Sequence, residues 1–260
     1  MRVAFQISGI LRNWETAYVL FSQYKKLIEK KGIEVDFFIH TWDDEYARLC
    51  IEEGLFDIFT DYDLTPLPRQ GIEDKTRDRS KSLYSWSYSM FLSSVIRRSY
   101  QYNKKVDYIK VFSCRPDIYV PYHYWSYVGN KMALESSYML NYPPYRKSAT
   151  NNDKWPHLVS DDLKIVGTQE AIDLFSLNFH LMYLNNDPSF IPTYHTVPGL
   201  TIMRYGLNYE SKSGLAEKWK ILRRNDGKSV MTGHNSDDVM IEQEYLRDGM
   251  MQKHIERFGL

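Results

Sequence analysis

Cysteine is nearly absent from this 260-residue chain: Cys50 and Cys114 stand far apart, and no CxxC or Cys/His spacing accompanies them. A disulfide framework and a zinc-finger-like site are excluded, and a reducing compartment is expected. Net charge is absent too, with 33 basic residues against 33 acidic, which argues against bulk electrostatic binding to nucleic acid or anionic membranes. No apolar run approaches the length of a membrane span, and residues 1–10 lack the basic start and long apolar stretch of a signal peptide. The expectation is a soluble, cytoplasmic protein with no transmembrane segment. Neither GxGxxG nor GxxxxGK(S/T) occurs, so a Rossmann fingerprint and a P-loop are both missing. The seven His residues form no HExxH, and no Ser/His/Asp or Cys/His nucleophile arrangement can be picked out.

Aromatic residues are abundant instead: 21 Tyr, 12 Phe and 6 Trp. Flat aromatic faces stack on pyranose rings or nucleobases, but they also fill ordinary cores, and composition alone favours the second reading.

The order of elements reads as α/β. Residues 2–7 form a short apolar strand ended by Ser8 and Gly9. Trp14, Tyr18, Phe21, Tyr24 and Ile28 then recur at helical spacing, with Gly32 as the stop. Residues 35–39 make a second strand, so a parallel sheet with a right-handed crossover is expected. Residues 60–82, polar and carrying Pro66, Pro68 and Gly71, read as a long loop. Tyr84, Tyr88, Phe91, Leu92, Val95 and Ile96 line one face of a helix running towards Tyr102. A β-rich run from Tyr108 follows and stops at Arg115-Pro116-Asp117. Further on, short strands are expected near residues 132–140 and over 162–167, a helix over 171–184, a late strand over 200–204 and a final helix over 236–249. Nothing demands a second domain.

Five clusters could carry chemistry. Ser8-Gly9-Ile10-Leu11-Arg12 offers a flexible turn and a cation at a strand end, where backbone amides beside a helix N-terminus favour phosphate; an ordinary turn looks the same. His40 and Trp42 could flank a base or sugar, or the segment could simply cap a helix through Tyr46 with Asp43 and Asp44. Arg115 could pair with phosphate and Asp117 could hold a cation or a sugar hydroxyl, against a structural ion pair. The position of that pair at a strand end favours function, because open sheets bind outside the carboxyl ends of their strands. Asp161-Asp162 precede a strand and are the leading base candidates. Asp237-Asp238 follow Ser236 and fit a helix start, with Asp238 a reserve base and His234 a candidate metal ligand beside it.

These pieces, in this order, resemble a family of GT-A-fold glycosyltransferases of bacteria, phages and large viruses, including WavE-type capsule and lipopolysaccharide-synthesis proteins. The resemblance rests on Ile7-Ser8-Gly9-Ile10-Leu11-Arg12, on Asp36-Phe37-Phe38-Ile39-His40-Thr41-Trp42, on the Tyr- and Ser-rich helix leading to Arg115-Pro116-Asp117, and on Ser160 to Gly167 before a helix. The acidic segment from Ser236 completes it. Most of the chain is touched, and the specificity lies in order and spacing rather than in any one motif.

The resemblance implies an α/β, GT-A (Rossmann-like) single domain over residues 1–260, with a mainly parallel central sheet flanked by helices. Residues 1–120 would be the nucleotide-binding half and residues 121–260 the acceptor side. It implies transfer of a sugar from a nucleotide sugar to a glycan or lipid-linked acceptor. Ser8, Gly9, Arg12, His40, Trp42, Arg115 and Asp117 would meet the donor, and Asp161 and Asp162 would supply the base. Many such enzymes hold Mn2+ or Mg2+ with a DxD motif. Here Arg115 replaces the first Asp, so Asp117 remains as a metal ligand (with Asp238 and His234 further candidates) while Arg115 could itself neutralise diphosphate charge. The alternatives are a catalytically inactive carbohydrate- or nucleotide-binding protein and a nucleotidyltransferase.

Overall fold

The computed structural model describes residues 1–12, 14–66, 79–119, 139–140, 164–178, 180, 197, 201, 204–205, 209–210, 220–225, 228–233 and 236–241. The chain opens with β1 (Arg2–Ser8), α1 (Trp14–Glu29), β2 (Glu34–Asp43), α2 (Glu45–Glu52) and β3 (Asp61–Pro66). The long helix α3 (Arg79–Lys104) leads into β4 (Lys110–Cys114), followed by β5 (Ile118–Tyr119), β6 (Met139–Leu140) and β7 (Lys164–Gly167). Helix α4 (Gln169–Ser176) and strands β8 (Tyr209–Glu210), β9 (Lys220–Asn225), β10 (Lys228–Gly233) and β11 (Ser236–Ile241) complete the described elements.

One sheet runs β3-β2-β1-β4-β7-β6-β8, and a second runs β11-β10-β9-β5. The β3-β2-β1-β4 half of the first is parallel throughout. β7 lies antiparallel against β4. The expected α/β architecture, a parallel sheet flanked by helices, is therefore present.

Alternation along the strands sends two different sets of side chains to the two faces. Val3, Phe5, Ile7, Phe37, Ile39 and Phe112 pack with the buried side of α1 and with Ala47 and Cys50 of α2. Phe5 lies stacked between Phe37 at 4.8 Å and Phe112 at 4.6 Å, a row of three rings across β2, β1 and β4. Each such ring, fully buried, contributes about 1.5–3 kcal/mol.

The other face carries Ala4, Phe38 and Val111 against Met90, Ile172 and Phe175. It is laced with polar groups. Gln6 donates to Ser94 Oγ at 2.7 Å and accepts from Arg97 Nε at 3.3 Å. The fully buried Arg97 also binds Gln101 and Asp173. Burial lowers the Arg97 guanidinium and raises the Asp173 carboxyl, each partly offset by the other's charge.

Four expectations are corrected. The loop over residues 60–82 contains β3: its Asp61, Asp63 and Pro66 give no apolar signal because β3 is the exposed sheet edge, held by backbone pairing with β2. The fully buried positions of α3 include Leu83, Ser87, Met90, Ser94 and Arg97, whereas the expected bulky face is only half-buried, with Ile96 against the core and Val95 exposed; the small serines let the helix approach the sheet. The late strand over 200–204 gives way at Thr201 and Arg204 to helix, where Thr201 Oγ1 donates to the Val197 carbonyl. The helix from Ser236 is instead β11: Val239, Met240 and Ile241 pair with β10 as a hairpin. Residues 242–249 lie outside the described residues.

Candidate functional site

β1 is flanked by β2 on one side and β4 on the other, and the chain winds outward from it in both directions. The crevice between the carboxyl ends of β1 and β4 is the switch point of the parallel half, the place where open α/β sheets bind ligands. Two of the sequence clusters meet there.

Ser8, buried, ends β1 in register with His40. Gly9 follows at φ +127°, a conformation L side chains rarely adopt, and its N–H donates to the His40 carbonyl at 3.3 Å. A Cβ on Gly9 would lie 3.4 Å from Pro116 Cδ, so the turn after β1 packs directly on the turn after β4. Leu11 is buried, Arg12 is exposed, and Trp14 N–H closes the turn onto the Leu11 carbonyl at 3.0 Å, which sets the N-terminus of α1 beside the crevice.

At the end of β4, Arg115 Nε donates to Asp117 Oδ1 at 2.7 Å and an Nη to Oδ2 at 2.6 Å, a bidentate pair. Its side chains are 32% and 12% exposed, so the guanidinium keeps the more accessible surface. Both carboxylate oxygens of Asp117 are thus engaged. Among the described residues no three His, Cys, Asp or Glu side chains converge on a common point. Arg115 and Asp117 thus face each other as a pair at this strand end, with part of the Arg115 side chain left accessible.

His40 and Trp42 sit at the end of β2 but inside the protein. The ring nitrogens of His40 bond Ser89 Oγ at 2.8 Å and Thr65 Oγ1 at 2.9 Å, and burial pushes its pKa down to about 4. Trp42 is buried edge-on against that imidazole at 5.3 Å and stacks on Tyr88 at 6.5 Å. Both therefore fasten α3 and β3 to β2 behind the crevice. Asp44 caps α2 by accepting from the Ala47 N–H at 2.9 Å, the structural role open to it in the sequence. Asp161, Asp162 and His234 lie outside the described residues, as do the side-chain surroundings of Asp238, whose backbone is in β11.

Sequence reasoning missed the Gln6–Ser94–Arg97–Asp173 network that ties β1 to α3 and α4. The available signal was Gln6, a polar residue inside an otherwise apolar first strand.

No family model matches the chain, and no curated protein matches it. Among solved structures, the chain is similar to a nucleoside-diphosphate-sugar pyrophosphorylase from Vibrio cholerae RC9, with a TM-score of 0.41 and 12% identity over 80% of this chain and 90% of that one. A glycosyltransferase involved in glycosylation of the major capsid of PBCV-1 gives 0.40 and 11%, over 81% of each chain. The glycosyltransferase GlyE of Streptococcus pneumoniae TIGR4, in its apo form, gives 0.35 and 11%, over 81% of this chain and 44% of that one. Likeness at this level assigns neither family nor reaction. No described helix is long and apolar enough to cross a membrane.

Proposed function

We propose that the chain is a single-domain, nucleotide-sugar-dependent glycosyltransferase. One observation carries this reading: the Ser8-Gly9 turn and Arg115-Pro116-Asp117, over a hundred residues apart in sequence, are packed together at the β1/β4 switch point. The turn after β1, the start of α1 and the partly accessible Arg115 guanidinium would together meet a diphosphate there. Arg12, exposed in the same turn, adds a second cation. Asp117 would orient the donor sugar through a hydroxyl, and departure of the nucleoside diphosphate would be stabilised by Arg115. Asp161 or Asp162 would take the proton from the acceptor hydroxyl, on a glycan or lipid-linked acceptor.

A second reading is favoured by a specific geometry. Asp117 is tied to Arg115 through both oxygens, so a protein that binds the nucleotide sugar without transferring it uses the same crevice.

The test is thermal stabilisation by UDP-, GDP-, CMP- and dTDP-sugars, with and without Mn2+, in the wild type and in Arg115→Ala and Asp117→Asn. At about a hundredfold excess over Kd, one donor should stabilise the wild type by about 2.7 kcal/mol. Arg115→Ala should abolish that shift. If no nucleotide sugar stabilises the protein or is hydrolysed, the transferase reading fails. Stabilisation with no transfer or hydrolysis of the bound donor selects the second reading.

A further inference from the structure

A concavity of about 720 Å³ lies on the helical side beside the amino end of β4, where α3 ends and α4 begins. Its position is fixed by polar contacts. Gln101 Nε2 donates to Gln169 Oε1 at 2.8 Å, and that oxygen also accepts the Tyr108 N–H just before β4. The amide pair forms part of its wall beside Asp173, which is held from behind by buried Arg97.

The outward face of α3 supplies one wall. Val95, Arg98, Ser99 and Tyr102 follow one another at helical spacing and all line the concavity. Tyr102 is 86% exposed, so its ring stands free at the rim. Val95 lies on the same face, roughly 10 Å along the axis at helical rise. Asn103 and Glu170 provide further polar edges.

Charge narrows the class of ligand. Arg98 stands 3.9 Å from Asp173, which already serves the buried Arg97, and Glu170 adds a second carboxylate to the lining. This lining has no cationic excess for phosphate, and it lacks the apolar depth a lipid or other greasy ligand needs. It offers an aromatic platform flanked by amides, a hydroxyl and charged hydrogen-bonding groups. A pyranose presents the matching surface, with apolar C–H faces and hydroxyl edges that both donate and accept.

We propose that this trough is a binding site for a neutral oligosaccharide, with Tyr102 stacking on one ring and Arg98, Asn103 and Glu170 contacting hydroxyls. The site is separate from the crevice at the ends of β1 and β4, and it does not depend on that crevice binding a nucleotide sugar.

The full chain is titrated with maltohexaose, cellohexaose, mannohexaose and chitohexaose, and with inorganic phosphate, following binding by calorimetry and fold by circular dichroism. At least one neutral hexasaccharide binds saturably, Tyr102→Ala weakens it by about tenfold or more, and Arg115→Ala leaves it unchanged. Because Tyr102 is so exposed, that variant keeps its circular dichroism spectrum. The proposal is overturned if none of the four binds at about 10 mM, if Tyr102→Ala binds as tightly as the wild type, or if phosphate displaces the glycan. It is equally overturned if Arg115→Ala, rather than Tyr102→Ala, removes binding.

Discussion

The two faces of the parallel sheet differ in chemistry, one almost wholly apolar and the other apolar with buried polar groups threaded through it. Beneath α1 and α2, β1, β2 and β4 offer a nearly continuous aromatic and aliphatic surface centred on Phe5, Phe37 and Phe112. Beneath α3 and α4, Gln6 and His40 meet serines, a threonine and a guanidinium. Apolar burial scales with area and accepts many packings of the right volume. Hydrogen bonds in a dry interior are satisfied at one register only, and an unmet partner is costly. The first face therefore supplies most of the stability, while the second fixes how α3 lies across the strand ends that form the crevice.

The sharpest way to break that distinction is a pair of truncations followed through pH by urea unfolding. Phe5→Ala should cost about 3–5 kcal/mol, with little change between pH 4 and pH 7. Arg97→Ala should cost about 3 kcal/mol, because it strands the buried side of Asp173, which keeps 26% exposure and some solvent screening. Its deficit should also grow with pH. Burial already raises the Asp173 carboxyl in the folded state, and removing Arg97 raises it further, so stability is lost as pH rises through that value. A pH-independent Arg97→Ala deficit contradicts the division of roles.

His40 gives the opposite sign on the same face. Its folded pKa is held down to about 4, below the ordinary 6.5, so the native state resists protonation. Stability falls as pH drops from about 6.5 towards about 4, by on the order of 3 kcal/mol at most. His40→Gln should remove that acid-dependent fall, read as urea midpoints at pH 7, 5 and 4. An unchanged slope would show that His40 is not the group responsible.

The smallest effect should ignore the faces altogether. Asp44→Ala at the start of α2 and Thr168→Ala at the start of α4 each remove one N-cap bond, and each should lower stability by about 1 kcal/mol. A large difference between the two, measured by thermal unfolding, would mean that capping too is coupled to the face beneath it.

The apolar face is legible in the sequence because alternation in β1 and β2 and the helical spacing of Trp14, Phe21, Tyr24 and Ile28 both point to it. The polar face is not. Ser87, Ser94 and Arg97 have the composition of a solvated helix surface, and only their burial partners reveal otherwise. β3 escapes for a related reason: an edge strand held by its backbone carries no side-chain pattern. The hairpin residue run from Ser236 carries a helix-start signature, and the β-pairing of Val239 to Ile241 overrides it. The ends of β1 and β4 are legible as separate strand ends with special residues. That they touch follows only from strand order, which no local pattern encodes.

That strand order also dictates a sequence of events as the chain emerges. β1, α1 and β2 can pair early, but the other side of β1 is completed only by β4, and Gln6 must wait for Ser94, 88 residues further on. Until then β1, an inner strand of the finished sheet, is an open edge, able to pair with another chain. Contacts of such long range slow folding. Conditions that delay translation or folding between residues 44 and 110 should therefore favour aggregation of this protein more than delays later in the chain.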